Sequence, residues 1–503
     1  MGGIVPPRSI PPRSRGSRSY RSSQSVHPLP AIQSGPTLEI FRSTLNSIDL
    51  ERCEENGENA FYVCDLAQVY KQLLRWNTIL GDRIEPFFAV KCNPDIHILR
   101  MFSKLGLGFD CASHAEIDKV LSLGVSPSKI IYANPCKAGS FIRHARSAGV
   151  EMMTFDNIDE LQKVAKHHSQ AKLVLRILTD DSSSLCRLGE KFGAPLENVR
   201  GLLEQARDLS LDVIGIAFHV GSGCSDPNSY TEAVGRAKWA FELAAELGFK
   251  FNLLDVGGGF GDENFSSLAA GLLSGLDEHF PVGCGVRVIA EPGRYFVTKA
   301  FELATNIIAR RLAPPMGAVD GVGGDPVDKD VTLGAGITLY YVNDGVYGAF
   351  NCIIFDHQVV KPKLLTLGGV FYGDCCGERG YLTEPMTPSP SDHGMDCSID
   401  SLESIKVLLP PSPMLKPFQA PFLAGDLEPC KIFGPSCDSI DLVCPEAYLP
   451  VKYLKVGDWI RWSNMGAYTI CAASQFNGFK ISEVKYTIGD PAVEEELRNI
   501  LEQ

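Results

Sequence analysis

The 503-residue sequence carries 16 cysteines but no C-x-x-C pair and no metal-ligand spacing. Scattered thiols with no apolar signal peptide before them point to a reducing compartment and free cysteines rather than a disulfide framework or a metal site. Long hydrophobic runs are missing too. None reaches the roughly 18 residues that a membrane-spanning helix needs, so no span and a cytoplasmic setting are expected. No G-x-x-x-x-G-K-[ST] occurs, which disfavours a nucleotide phosphate loop. Gly257, Gly258 and Gly259 resemble a dinucleotide fingerprint, but position 262 is Asp262 where that pattern needs a small residue. Positive charge is also scarce overall: the net charge of −13 argues against a nucleic-acid face. What is present is the composition of a globular protein, 45% hydrophobic and 21% charged. The length suggests two or more domains.

Residues 1–38 differ from the rest. They hold five arginines, eight serines, seven prolines and no acid. Arg- and Ser-rich, acid-poor composition suits an organelle transit peptide, but the prolines break any useful amphipathic helix. A disordered basic tail outside the fold is the preferred reading.

From about residue 85, short apolar runs alternate with helical patterns: "FFAVKC", "GFDCAS", "IIYANP", "MMTFD", "KLVLRI", "GIAFHV", "NLLDVGGG" and "RVIAEPG". Near-continuous hydrophobicity marks strands covered on both faces. Eight strand–helix units predict an α/β fold with a (β/α)8 TIM-like barrel over 66–300, with a doubly wound open sheet as the alternative. Each run ends in chemically capable residues: Lys91, Asp110 and Ser113, Asn134, Asp156, Arg176, His219, the three glycines, then Glu291 and Arg294. One polar strand end is unremarkable; eight on one face of a barrel make an active-site rim.

After residue 300 the pattern turns to strands and turns, as in "FELATNIIARRL" and "FNGFKISEVKYTI", predicting a C-terminal β-sheet or barrel domain over 301–503 that residues 39–65 join. Residues 312–330 read as a flexible loop, and residues 362–420, rich in Pro and Ser, as a disordered insertion.

Lys91, ending an apolar run, poses the chemical question. A lysine snorkelling into solvent is the bland answer. A desolvated lysine, with its pKa lowered, can instead form a Schiff base with an aldehyde such as pyridoxal phosphate. That cofactor needs a phosphate cradle, for which the glycine run and Arg294 serve, and an anion at its ring nitrogen, for which Glu291 serves.

At this point "FFAVKCN", "FDCAS", "FHVGSGC", "DVGGGF", "AEPGRY", "YYVNDGVYGAFNCIIFDH", "GPSCDSID" and "MGAYT" resemble, in order, the eukaryotic ornithine decarboxylases. The likeness covers about residues 38–490 apart from the insertions. It implies a pyridoxal 5'-phosphate enzyme converting L-ornithine to putrescine, working as a homodimer with two shared sites. It implies that Lys91 holds the cofactor, that His219 stacks on its ring and that Glu291 pairs with its nitrogen. Ser222, Gly258, Gly259, Arg294 and Tyr468 would bind the phosphate, with Pro292 and Gly293 shaping that turn and Asp110 supporting the site. Cys437 would enter from the partner subunit as the proton donor. Asp438 from the partner and Asp356 from the first subunit would grip the distal ammonium, and Lys191 with Asp441 would form an interface pair. Two carboxylates at the far end of a pocket select a second cationic amine, which disfavours racemase chemistry on a neutral amino acid.

Phe355 departs from the tyrosine usual in this family and bears on the choice between ornithine and lysine. Lysine decarboxylation, and a catalytically inactive relative that binds a regulatory, antizyme-like protein, remain alternatives. No metal is expected.

Overall fold

The computed structural model describes residues 29–48, 57–313, 336–372 and 426–502. The described residues from 32 onward form one compact unit. Eight parallel strands close into a barrel: β1 (Glu85–Ala89), β2 (Gly108–Cys111), β3 (Ile130–Tyr132), β4 (Met152–Phe155), β5 (Lys172–Arg176), β6 (Asp212–Ala217), β7 (Leu253–Asp255) and β8 (Arg287–Ala290). Every strand pairs with its neighbour in sequence, and β8 returns to β1. The open sheet is therefore excluded.

Seven side chains fill the barrel interior: Phe87, Ile131, Met152, Val174, Ala217, Leu253 and Ile289, one from each strand except β2. There the inward position is Gly108, and a Cβ on it would stand 2.5 Å from the Phe87 ring. The aromatic side chain thus occupies the space its neighbour leaves. Burying a side chain of this kind contributes roughly 1.5–3 kcal/mol.

Outside, helices cover the strands, and their starts carry acceptors for otherwise unpaired N–H groups. Asp95 Oδ1 accepts from His97 N and Ile98 N at 2.9 and 3.2 Å at the head of Ile96–Lys104. Its other oxygen accepts from the Tyr486 hydroxyl at 2.6 Å, so one carboxylate caps a barrel helix and fastens it to the second sheet.

That second sheet has nine strands. Its main path runs Ile32–Ser34, Glu483–Ile488, Phe61–Asp65, Phe301–Ala313, Ile337–Val342, Glu428–Phe433 and Leu442–Leu449. Trp459–Trp462 joins Phe301–Ala313 to Pro362–Leu364. Phe61–Asp65, before the barrel, pairs with the start of Phe301–Ala313, after it. The segments entering and leaving the barrel are thereby held together. The helix Thr37–Asn46 lays Ile40 and Phe41 on Phe61 and Trp459.

Several expectations need correcting. The fold begins inside the expected tail, because Ile32–Ser34 pairs in parallel with Tyr486–Ile488. The segment expected as an insertion from 362 starts as sheet: Pro362–Leu364, Thr366–Leu367 and Val370–Phe371 are all paired. Leu312 and Ala313, placed in the first loop, belong to a strand. The remaining loop residues 314–330, the insertion from 373, and tail residues 1–28 lie outside the described residues. The helix Pro491–Glu502, with Leu497 and Leu501 buried, was not read from the sequence at all.

Candidate active site

The mouth of the barrel collects the strand ends. Lys91 follows β1 in a short 3-10 turn and donates to Asp110 Oδ2, at the end of β2. Burial works against the lysine's charge, but the carboxylates of Asp110 and Glu291 outweigh it and hold the ammonium above its ordinary value. The expected lowering of the Lys91 pKa is thus overturned: in this arrangement the amine is a paired cation. Asp110 is fully buried, and burial pushes its carboxyl up against the pull of Lys91.

Glu291 lies just past β8, positioned by its own N–H, which donates to Gly257 O at 2.7 Å. Burial first, then Asp110 and Asp255, push its carboxyl far up. His219 ends the β6 segment. Its Nδ1 accepts from Gly221 N at 2.9 Å, and burial together with Arg176 and Lys91 keeps the ring neutral.

The glycine run is built as a cradle. Gly257 has φ +65° and Gly259 φ +111°, and a Cβ on Gly258 would meet Glu291 O at 2.8 Å and His219 Nε2 at 3.0 Å. Tyr230 donates its hydroxyl to Gly258 O at 2.8 Å and fixes the loop from below. Gly293, too, has no room for a side chain: a Cβ there would lie 2.7 Å from Cys92 Cβ. The neighbouring Pro292 accepts Ala89 N–H with its carbonyl at 3.2 Å.

Arg294 heads the next turn and makes a fork with Asp356, at 2.7 and 2.6 Å, while its Nη2 also donates to Ser222 Oγ at 2.9 Å. Its guanidinium lies 5.1 Å from the centre of the Tyr468 ring. Tyr468 itself adopts φ +54°, a strained backbone for a bulky residue, and its N–H donates to Cys92 O at 3.0 Å. Asp356 is buried; Phe355 beside it is 68% exposed.

The loop carrying Cys437 and Asp438 is different. Cys437 is exposed and its N–H reaches Asn477 Oδ1 at 3.2 Å. Asp438 takes the Tyr347 hydroxyl and the Ile440 N–H. These contacts keep both residues on the sheet domain, and the chain does not bring them to the Lys91 group by any described contact. Asp441 closes the loop: it is buried, and its oxygens accept from Val346 N at 2.8 Å and Ser436 N at 2.9 Å. Lys191 is exposed, its amine 5.0 Å from the Phe192 ring.

Sequence reasoning missed two contributors. Asp255, at the end of β7, is buried behind Glu291, and it was hidden because "LLDV" reads as one strand. Cys186 sits 3.6 Å from Asp356 Oδ1, brought there by an antiparallel pairing of Ser184–Cys186 with Ser222–Cys224 that joins two mouth loops. No periodicity marks such short loop strands.

Comparison with known proteins now decides the family. The pyridoxal binding domain of the pyridoxal-dependent decarboxylases matches residues 66–298, and the C-terminal sheet domain of the same family matches residues 392–466. The chain belongs to the pyridoxal-dependent decarboxylases. It is similar to the ornithine decarboxylase of Schizosaccharomyces pombe, 43% identical over 89% of this chain and 88% of that one. It is also similar to antizyme inhibitor 2 of Xenopus laevis, 42% identical over 89% of this chain and 85% of that one. Among solved structures, the arginine decarboxylase of Paramecium bursaria Chlorella virus superposes with a TM-score of 0.69 at 30% identity, covering 89% of this chain and all of that one.

The residues present suit the family's cofactor. Asp110 Oδ1, Glu291 Oε1 and Arg294 Nε are buried polar atoms without a protein partner. Buried polar atoms of that kind are costly unless a ligand satisfies them. They lie beside an amine, a neutral imidazole and a cradle too tight for any Cβ. A flat, charged ring bearing an aldehyde and a phosphate answers each of these features, and the chain is a pyridoxal-phosphate-dependent decarboxylase.

Proposed function

We propose that this chain decarboxylates L-ornithine to putrescine and carbon dioxide, the first step toward polyamines, at sites shared between two copies of itself. The observation that carries the reading is that Lys91, Glu291, Arg294 and Asp356 converge at one barrel mouth, while Cys437 stands exposed and Asp438 half-buried on a loop of the same chain. Pyridoxal phosphate, when bound, supplies the electron sink for the pair freed by loss of carbon dioxide.

The chain's own residues do the rest. Lys91 would hold the cofactor by its amine. His219 would cover one ring face, and being neutral it adds no positive charge there. Glu291, held ionised by the positive ring nitrogen against the upward push of burial and its neighbours, would keep that nitrogen protonated. Ser222, Gly258, Gly259, Arg294 and Tyr468 would hold the phosphate beside Pro292 and Gly293, with Asp110 orienting Lys91. Cys437 of the partner subunit would deliver a proton to the substrate carbon.

Asp356 and the partner's Asp438 would bind the distal ammonium. Both Asp356 oxygens are engaged by Arg294, yet a carboxylate offers about four lone-pair sites, so room remains for a second cation. Lys191 would meet the partner subunit's Asp441 at the interface. A cytoplasmic location and an antizyme-like protein partner belong to the same reading. Among the described residues, no helix is long and apolar enough to cross a membrane.

Carbon dioxide release by the purified protein with added pyridoxal phosphate, compared on ornithine, lysine and arginine, tests it. Release mainly from ornithine is expected. Equal release from lysine would transfer the assignment to a dual lysine and ornithine enzyme. The likeness to antizyme inhibitor 2 favours a second reading as a regulatory relative, and cofactor binding without release from any substrate would establish that instead.

A further inference from the structure

Five ionisable side chains crowd the barrel mouth beneath the cradle: Lys91 after β1, Asp110 on β2, Arg176 on β5, Asp255 on β7 and Glu291 after β8. Two are cations and three are carboxyls. Were all three ionised, the inner group would carry a surplus negative charge in a place shielded from water, which is costly. One shared proton brings it to neutrality.

The geometry says which two carboxyls share that proton. Asp255 is 1% exposed, and β7 and β8 run side by side with Asp255 opposite Ile289. Asp255 Oδ1 accepts from Gly257 N at 2.9 Å, and Gly257 O accepts from Glu291 N at 2.7 Å. Asp255 and Glu291 are thus clamped to the same glycine from opposite sides. Their side chains lie within hydrogen-bonding reach of each other, and no N–H or O–H group among the described residues reaches Asp255 Oδ2. Two carboxylate oxygens cannot hydrogen-bond unless one is protonated.

We propose that Asp255 is a positioning residue for Glu291: the two carboxyls share one proton, which Asp255 keeps and donates once the positive ring nitrogen of the cofactor draws Glu291 into its anionic form, so that Glu291 stays aimed at the ring. The inference rests on the reading that Glu291 faces the ring nitrogen. Burial pushes the Asp255 carboxyl up, with the Gly257 N–H, the Glu291 hydrogen bond and Arg176 opposing and Asp110 adding to it, and burial pushes the Glu291 carboxyl well up too. Glu291 is faced by Asp110, Asp255, Lys91 and Arg176, and Asp156 adds a further carboxylate on the far side of Arg176. His219, across the cradle, is neutral and leaves the charge count unchanged.

The raised Asp255 group binds a proton in the folded chain that it loses when unfolded. The stability attached to it is therefore present at low pH and is lost as pH rises through its folded pKa. Replacing the acid by asparagine keeps a donor toward Glu291 and an acceptor for Gly257 N–H, but removes the titration.

The test measures binding of pyridoxal 5'-phosphate itself, by equilibrium dialysis and by the visible absorbance of the bound cofactor across pH, on four full-length proteins. Asp255→Ala should weaken cofactor binding by about 10- to 100-fold, the range typical of outer-shell partners, and shift the absorbance–pH curve. Asp255→Asn should restore affinity near that of wild type while flattening the pH dependence. Equal loss in both variants, no loss in either, or a lowered melting temperature with unchanged affinity would each overturn the proposal. Glu291→Gln separates the two levels: wild-type affinity and absorbance in that variant would overturn the role of Glu291 itself rather than that of Asp255.

Discussion

The barrel mouth and the Gly434–Asp441 loop are organised on opposite principles. At the mouth, Asp110 is buried, Lys91, Glu291 and Arg294 are half-buried, and each side chain is oriented by another. On the loop, Cys437 is exposed and Asp438 half-buried, each held by contacts within the sheet domain, and Asp441 secures the base. A group that must hold a cofactor benefits from being locked in place. A group that must reach another copy of the chain benefits from exposure on a stiff support. The contrast is what a site shared between two copies requires, and it can be broken from either side.

The largest effect is expected from the mouth. Lys91→Ala should abolish activity and the visible absorbance of bound cofactor together, measured on the same preparation. An unchanged spectrum would remove Lys91 from the centre of the site. Cys437→Ala should lower kcat by about 10²- to 10⁴-fold, the usual worth of a positioned proton donor, yet leave that absorbance intact. Mixing the two inactive proteins sharpens the comparison. In a shared-site dimer half the dimers are mixed and one site of each pair is whole, so about a quarter of wild-type activity should return. Absence of recovery would mean that the loop serves its own barrel or serves no catalytic purpose.

A smaller effect concerns the support under the loop. Asp441→Ala leaves the buried N–H groups of Val346 and Ser436 without their acceptor, at a cost of about 1–3 kcal/mol for each. Urea denaturation should register that loss. Activity should fall with it while cofactor absorbance stays, because the mouth makes no use of this carboxylate. Loss of cofactor as well would show that the two regions are coupled through the sheet.

The two regions also differed in how far the sequence revealed them. The eight strands were legible because strands covered on both faces are apolar throughout, and their polar ends fall where a barrel must gather them. The sheet domain was legible only in outline. Ile32–Ser34 pairs with residues some 450 positions away, and a three-residue strand in a serine-rich context carries no local signal. Pro362–Leu364 was hidden for a similar reason, since its partner strand Trp459–Trp462 lies beyond the long insertion. At the site, side chains that act through familiar spacing were legible. Asp255 was not, because its part depends on which strand stands next to β7. The direction of the Lys91 shift was misread because burial was weighed without the two carboxylates that face it.

Phe355 offers the finest division between the regions. It adjoins Asp356, which belongs to the mouth, but its ring is 68% exposed, like the loop residues. The short helix Cys352–Phe355 ends there, and the Asp356 N–H turns back to Cys352 O at 3.0 Å, which holds Asp356 inward and sends Phe355 outward. A side chain directed away from the carboxylate it accompanies has little purchase on the length of the substrate. Phe355→Tyr should therefore alter the ratio of ornithine to lysine turnover by no more than about 0.5 kcal/mol, the usual span for an exposed substitution. A larger change in that ratio, measured as kcat/KM on each substrate, would mean that the ring is covered when two copies meet and that it lines the pocket from the partner's side.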